Sequence, residues 1–169
     1  MAPLVLRPMR AEDEPEAVAA QAELEPDDFT FLLFRNPLEP WTDYLAQLER
    51  ERCGVGLGDD RLPSTFLVAE VDGALVGRIS IRHELNKLFE NSGGHIGYCV
   101  RPAFRRLGYA TEILRQGVLL ARGLGIERVL VVCDEGNAGS MIVIESLGGV
   151  FEDVREDLKG RLVRRYWVG

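Results

Sequence analysis

The segment from His95 to Cys133 constrains the fold more than any other part of the chain. It opens on the run His95–Val100, breaks at Arg101-Pro102, and reaches Gly108 after a short loop. From Gly108 to Leu124, the residues Ala110, Ile113, Leu114, Gly117, Val118 and Ala121 recur at the spacing of one helix face. Gly125 supplies a helix stop. Arg128–Cys133 is then nearly all apolar, as expected of a strand buried on both faces. The unit is therefore strand, helix, strand, with the second strand deep inside a sheet.

The flanks add strands on both sides of this unit. Leu4–Leu6 reads as a short first strand ended by Pro8, and Ala11–Leu24 as a helix rich in Ala and Glu. Asp28–Arg52 reads as a second, broken helical region, interrupted at Pro37 and Pro40 before a helix that begins near Trp41 or Thr42. Cys53–Pro63 reads as a loop. Its Gly54-Val-Gly56-Leu-Gly58 run leads into Asp59 and Asp60 instead of an apolar helix, so it is no phosphate cradle. Phe66–Val71 and Leu75–Arg82 are strands joined at Asp72-Gly73, a pair suited to a tight hairpin turn. Leu85–Gly94 is a connection. Asn137 caps a helix ending near Gly148-Gly149, and Val150–Glu156 with Leu162–Val168 form a closing hairpin. The expectation is one α/β domain over residues 1–169, with a mixed, mostly antiparallel sheet around the central unit.

Composition excludes several classes. No apolar run approaches the roughly 20 residues of a membrane span, and the N-terminus has no export signal. Three scattered cysteines, Cys53, Cys99 and Cys133, fit a cytoplasmic protein with reduced thiols. Two histidines with no ligand-spaced partner give no metal site. The net charge of −7 disfavours nucleic acid as a partner. That charge is uneven: residues 11–34 hold eight acids and no base, whereas residues 101–115 hold four arginines against Glu112 alone. A basic island in an acidic chain suggests one discrete anion site.

The island falls where a helix begins. A helix's first turn leaves N–H groups without partners and favours anions. Gly108 lets a phosphate approach the backbone, Ala110 and Thr111 keep the turn small, and Arg105 and Arg106 add positive charge.

Arg105-Arg106-Leu107-Gly108-Tyr109-Ala110 resembles the R/Q-x-x-G-x-G/A signature of the GNAT acetyltransferase superfamily. Asn137-Ala-Gly-Ser140 followed by Glu145-Ser-Leu-Gly148-Gly149 is similar to the N-x-x-S-x-x-x-x-E-x-x-G-F ending of these domains. The resemblance implies acetyl-CoA as cosubstrate, no metal, and central strands that splay to admit the pantetheine arm. It implies pantetheine contacts from the backbone near Cys99 and Val100, and pyrophosphate contacts from the N–H groups of Arg106 to Thr111. Asn137 and Ser140 would lie near the sulfur, although an N-cap and a first-turn hydroxyl explain them equally. The acceptor implied is an amine of a small molecule or peptide. The resemblance also admits a homodimer.

Attack by an amine on a thioester needs the amine deprotonated, which costs roughly 4–5 kcal/mol at pH 7 for a lysine-like pKa. His95 stands where many family members carry a glutamate and is the first candidate base, followed by Glu84 and His83. Alternation puts His95, Gly97 and Cys99 on one strand face, and Gly97 would leave room for an acceptor beside His95. Many relatives protonate the leaving thiolate with a tyrosine seven residues after the asparagine. Here that position is Ile144, so Tyr98, Ser140 or water must substitute. The acidic stretch 11–34 falls where relatives build the acceptor mouth, which suggests a cationic acceptor, though a solvated acidic face explains it as well. Two readings follow: an acetyl-CoA-dependent N-acetyltransferase, and a non-catalytic acyl-CoA-binding regulatory domain.

Overall fold

In the computed structural model, which describes residues 2–169, the chain runs β1 (Val5–Arg7), α1 (Glu14–Leu24), α2 (Trp41–Cys53), β2 (Ser64–Val71), β3 (Ala74–Arg82) and α3 (Lys87–Ser92). It continues through β4 (Ile96–Val100), α4 (Tyr109–Gly123), β5 (Val129–Asp134), α5 (Ala138–Ser146), β6 (Val150–Glu156) and β7 (Leu162–Val168). The strands form one sheet in the order β1-β2-β3-β4-β5-β7-β6. Every neighbouring pair is antiparallel except β4 and β5. The Asp72-Gly73 turn has positive φ at both positions (50° and 80°), the backbone a right-twisted hairpin requires.

The sheet is covered on both sides, so its alternating residues fill two separate apolar layers. On one side, Ile113, Leu114, Val118 and Ala121 of α4 pack on Ile79, Ile96, Val129 and Val131. Gly117 sits so close to the sheet that a Cβ would lie 2.2 Å from Ile79 Cδ1. On the other side, Ala17, Ala20 and Leu24 of α1 and Trp41 and Tyr44 of α2 pack with Phe66, Val68 and Leu75.

Two expectations need correction. Residues 28–40 contain no helix beyond the short 3-10 turn Glu25–Asp27 that precedes them. The segment is irregular because the Gln21 side chain takes up the Phe31 and Leu32 N–H groups at 2.8 and 2.9 Å, and because Pro37 and Pro40 cannot continue a helix. The connection 85–94 holds the short helix α3, started by Asn86, whose side chain accepts the Phe89 N–H.

The two charge anomalies of the sequence turn out to be partners. Arg101, buried at the end of β4, contacts Glu16 and Glu23 of α1, each at 2.7 Å, and donates to the Leu75 carbonyl. Arg105 contacts Asp27 at 2.6 Å. Asp13 holds Arg7, and Asp28 holds Lys159 and Arg161. The acidic stretch is thus largely engaged in ion pairs that tie α1 and its continuation to other parts of the chain. Among the described residues, no helix is long and apolar enough to cross a membrane.

Candidate active site

β4 and β5 share a single register pair, Ile96 with Val131, before they part. The β3–β4 ladder bonds the Arg82 N–H to the His95 carbonyl and the Arg101 N–H to the Val76 carbonyl. In an antiparallel ladder this phase turns the backbone groups of residues 97 and 99 to β3, and those of 98 and 100 toward β5. Past Ile96, therefore, Tyr98 and Val100 direct polar backbone groups into the opening between the strands. Val100 was expected to do so; Cys99 was too, but its backbone faces the opposite edge. Burial pushes the Cys99 thiol pKa up, with Arg78 opposing that in part.

The mouth of this opening lies at the start of α4. Gly108 caps the helix at φ 83°, where a side chain would be strained, and a Cβ built there meets no protein atom within 4 Å. The space beside it is open. Arg106 has φ 64° and is exposed, as is Leu107, and the first-turn residues Tyr109, Ala110 and Thr111 are half-buried. The N–H groups of that first turn have no intrahelical acceptor. Arg105 is less free than the sequence suggests, because its Nε donates to the Val100 carbonyl and its Nη2 contacts Asp27. Arg106 is the arginine of this loop that has no ion pair among the described residues.

Tyr98 on β4 and Ser140 in the first turn of α5 come together. The Tyr98 hydroxyl is buried with no partner at hydrogen-bond geometry. Burial pushes its pKa up to about 12, although the neighbouring Ser140 hydroxyl pulls in the other direction. The Asn137 side chain accepts the Ser140 N–H at 3.0 Å and caps α5. Ile144 is fully buried among the α4-side core residues, and a Cβ on Gly149 would lie 2.5 Å from it. An apolar residue at that position is core packing.

His95 departs most from expectation. It is 7% exposed, and it bonds Leu130 twice. Its N–H donates to the Leu130 carbonyl at 2.8 Å, and its Nδ1 accepts the Leu130 N–H at 2.9 Å. It is a packed histidine at the closed end of the splay. The expected open space over Gly97 is occupied by the Arg78 guanidinium, whose Nη1 would lie 3.8 Å from a Cβ there. Burial, and then the charge of Arg82, lower the His95 pKa. With Nδ1 accepting, the neutral ring carries its proton on Nε2. Glu84 is exposed, with no side-chain partner among the described residues, and the His83 Nε2 lies 2.7 Å from the Thr65 hydroxyl.

Sequence reading missed one cluster. Arg78, Ser80 and Arg82 alternate with Ile79 and Ile81 on β3 and share the face covered by α1 and α2. The strict polar alternation on a covered face was the available signal. Beside it lies a shallow pocket, with about 30 Å³ of enclosed space below an open mouth, lined by Ser80, Arg82, Phe34, Phe66, Phe89, Arg61 and Glu51 among others. Ser80 pairs with Gly97, so one strand separates this pocket from the splay.

The fold has counterparts among known proteins. The structure resembles RimJ of Mycobacterium smegmatis, solved with CoA-disulfide, at a TM-score of 0.72 and 18% identity over 98% of this chain and 81% of that one. It also resembles yncA of Salmonella typhimurium, solved with its cofactor acetyl-CoA (TM-score 0.65, 17% identity, 97% and 92% covered). A GNAT-family acetyltransferase from Streptococcus pneumoniae gives 0.67 at 19% identity, with 98% of each chain covered. At such identities these likenesses speak for the fold. No curated protein matches in sequence. The family model of the acetyltransferase (GNAT) domain matches residues 3–150, which takes in the splayed strands, the Gly108 turn and the Asn137 cap. The chain belongs to the acetyltransferase (GNAT) domain family.

Proposed function

We propose that the protein is an acetyl-CoA-dependent N-acetyltransferase acting on a primary amine of a small molecule or peptide. The observation that carries this reading is the splay itself. A strand edge that turns backbone groups of Tyr98 and Val100 into the opening runs from an open, amide-rich helix start to a buried hydroxyl without a partner. The edge suits the amides of a pantetheine arm, a form of strand augmentation. The helix start suits a pyrophosphate. The solved structures of yncA with acetyl-CoA and RimJ with CoA-disulfide support the same class of ligand.

In the reaction, the amine nitrogen bonds to the thioester carbonyl carbon, the C–S bond breaks, and CoA leaves as thiolate. Tyr98 is the residue we assign to the departing sulfur. A phenol near 12 would protonate a thiolate near 8.5 only uphill, by roughly 5 kcal/mol. Its role is therefore to donate a hydrogen bond to the sulfur, while the thiolate takes its proton from solvent. Ser140 supports the same hydroxyl. The ammonium proton of the acceptor goes through water to Glu84, because His95 Nδ1 is occupied and His83 is engaged with Thr65.

Release of CoA from acetyl-CoA, followed with a panel of amines, tests the reading. Amine-dependent release with one acetylated product per thiol is expected. Tight CoA binding without any amine-dependent release would assign the chain to the non-catalytic alternative.

A further inference from the structure

We infer that the acceptor amine carries a carboxylate, which seats on Arg82 in the pocket beside β3, with an apolar body among Phe34, Phe66 and Phe89. This rests on the acetyltransferase reading and names the acceptor class for that site.

Two arginines of β3 lack a carboxylate partner, and of these Arg82 lines the pocket. Arg78 is 3% exposed, donates to the carbonyls of Gly97 and Thr30, and lies against the Phe29 and Phe66 rings. Its Nε is buried with no partner. Arg82 donates to the Gly93 and Gly94 carbonyls and lies 4.0 Å over the Phe89 ring. No carboxylate lies within 4 Å of either among the described residues, although most other arginines of the chain have one. Carbonyl dipoles and ring faces stabilise a guanidinium, but they leave its charge uncancelled.

The remaining charges of the pocket do not supply the anion. Arg61 at the rim is paired with Glu51, which also accepts from Gln47 at 3.0 Å. Asp60 is exposed at the edge. Arg82 therefore keeps no carboxylate partner in a lining that also holds Glu51 and Asp60, and a cation placed directly on it would be repelled. A planar guanidinium fork pairs best with a carboxylate. The three phenylalanines add an apolar wall beside Arg82 at the open mouth of the pocket. The pocket's β3 residues neighbour β4, one edge of the splay: Arg82 donates its backbone N–H to the His95 carbonyl, and Ser80 stands in register with Gly97. An acceptor held there by its carboxylate lies one strand from the thioester path.

The test measures binding to the protein–CoA complex by calorimetry. The probes are N-acetylated standard L-amino acids, each compared with its N-acetyl amide, and N-acetylspermidine as the cationic control. Acids with apolar side chains should bind about 10- to 100-fold more tightly than their amides, as for a charge-assisted hydrogen bond. Arg82→Gln should abolish that preference while CoA affinity stays unchanged. Arg82→Lys, which keeps the charge and much of the packing, should retain part of it. Equal binding of acid and amide, no binding of either, tighter binding of N-acetylspermidine, or a preference that survives Arg82→Gln would each overturn the inference. Turnover with the free amino acids is a separate readout. A carboxylate preference in binding without any acetylation would uphold this pocket and sink the enzyme reading.

Discussion

The Nδ1 atom of His95 accepts the Leu130 N–H at 2.9 Å, so a side chain stands in for the strand where β4 and β5 begin to part. Removing it leaves a buried donor without a partner. His95→Ala should cost about 1–3 kcal/mol of stability. His95→Asn, whose Oδ1 can accept the same N–H, should recover most of that and keep turnover within about tenfold of the parent, since the base role does not rest on Nδ1. Urea unfolding together with turnover decides it. A loss of about 10²–10⁴ in turnover for both variants would return the base role to His95.

The burial of the same histidine makes stability depend on pH. The folded-state pKa of His95 lies below its ordinary value of 6.5, because burial disfavours the charged ring. Below that value the unfolded chain binds a proton that the folded chain resists, so stability present above pH 6.5 is lost as pH falls toward the folded pKa. Unfolding curves between pH 8 and pH 5 should show this slope in the parent and a shallower one in His95→Asn. Identical slopes would mean that His95 does not contribute.

Tyr98→Phe separates function from packing. The hydroxyl is buried without a partner, so its loss should leave stability unchanged or raised. Turnover should nevertheless fall by about 10², the scale of one lost transition-state donor, with CoA affinity nearly constant. Thermal unfolding and kcat on one preparation test both. Normal turnover in Tyr98→Phe would pass the role to Ser140 or water.

At the helix start, Gly108→Val should weaken CoA binding severely. A side chain at φ 83° adds about 1–2 kcal/mol of strain, and it projects into the open space proposed for the phosphate. Arg106→Ala should weaken binding more than Arg105→Ala, because Arg105 is held by Asp27 and the Val100 carbonyl. Calorimetry with CoA gives the order, and the reverse order would mean that Arg105 leaves Asp27 for the ligand.

Arg101 ties α1 to the end of β4. Its hydrogen bond lowers the Glu23 pKa below the ordinary 4.5. The stabilisation this gives is present above pH 4.5 and is lost as pH falls through the lower folded value. Arg101→Met should destabilise the protein at pH 7 and flatten the acid limb of the stability profile, which unfolding curves from pH 7 to pH 3 would reveal. An unchanged acid limb would exclude the Arg101–Glu23 pair as its source.

Most of the fold was legible because its cues are local. The spacing of Ile113, Leu114, Val118 and Ala121, the Asp72-Gly73 turn and the Asn137 cap each act within a few residues. The Gly108 turn was legible for the same reason, since the first turn of a helix exposes its amides wherever it is placed. Contacts between distant residues were not legible. Arg101 and Glu23 lie 78 positions apart, so the acidic stretch read as a cationic-acceptor mouth or a solvated face, and only the fold showed its pairing with the basic island. His95 read as an open base, because alternation gives the face of a side chain and says nothing of what covers that face. Its burial comes from Leu130, 35 residues on, and the filled space over Gly97 comes from Arg78, 19 residues back. The Arg82 pocket likewise combines Phe34, Phe66 and Phe89 from three separate segments. Periodicity and capping are properties of short stretches of chain, whereas burial, ion pairing and pocket chemistry exist only once remote segments meet.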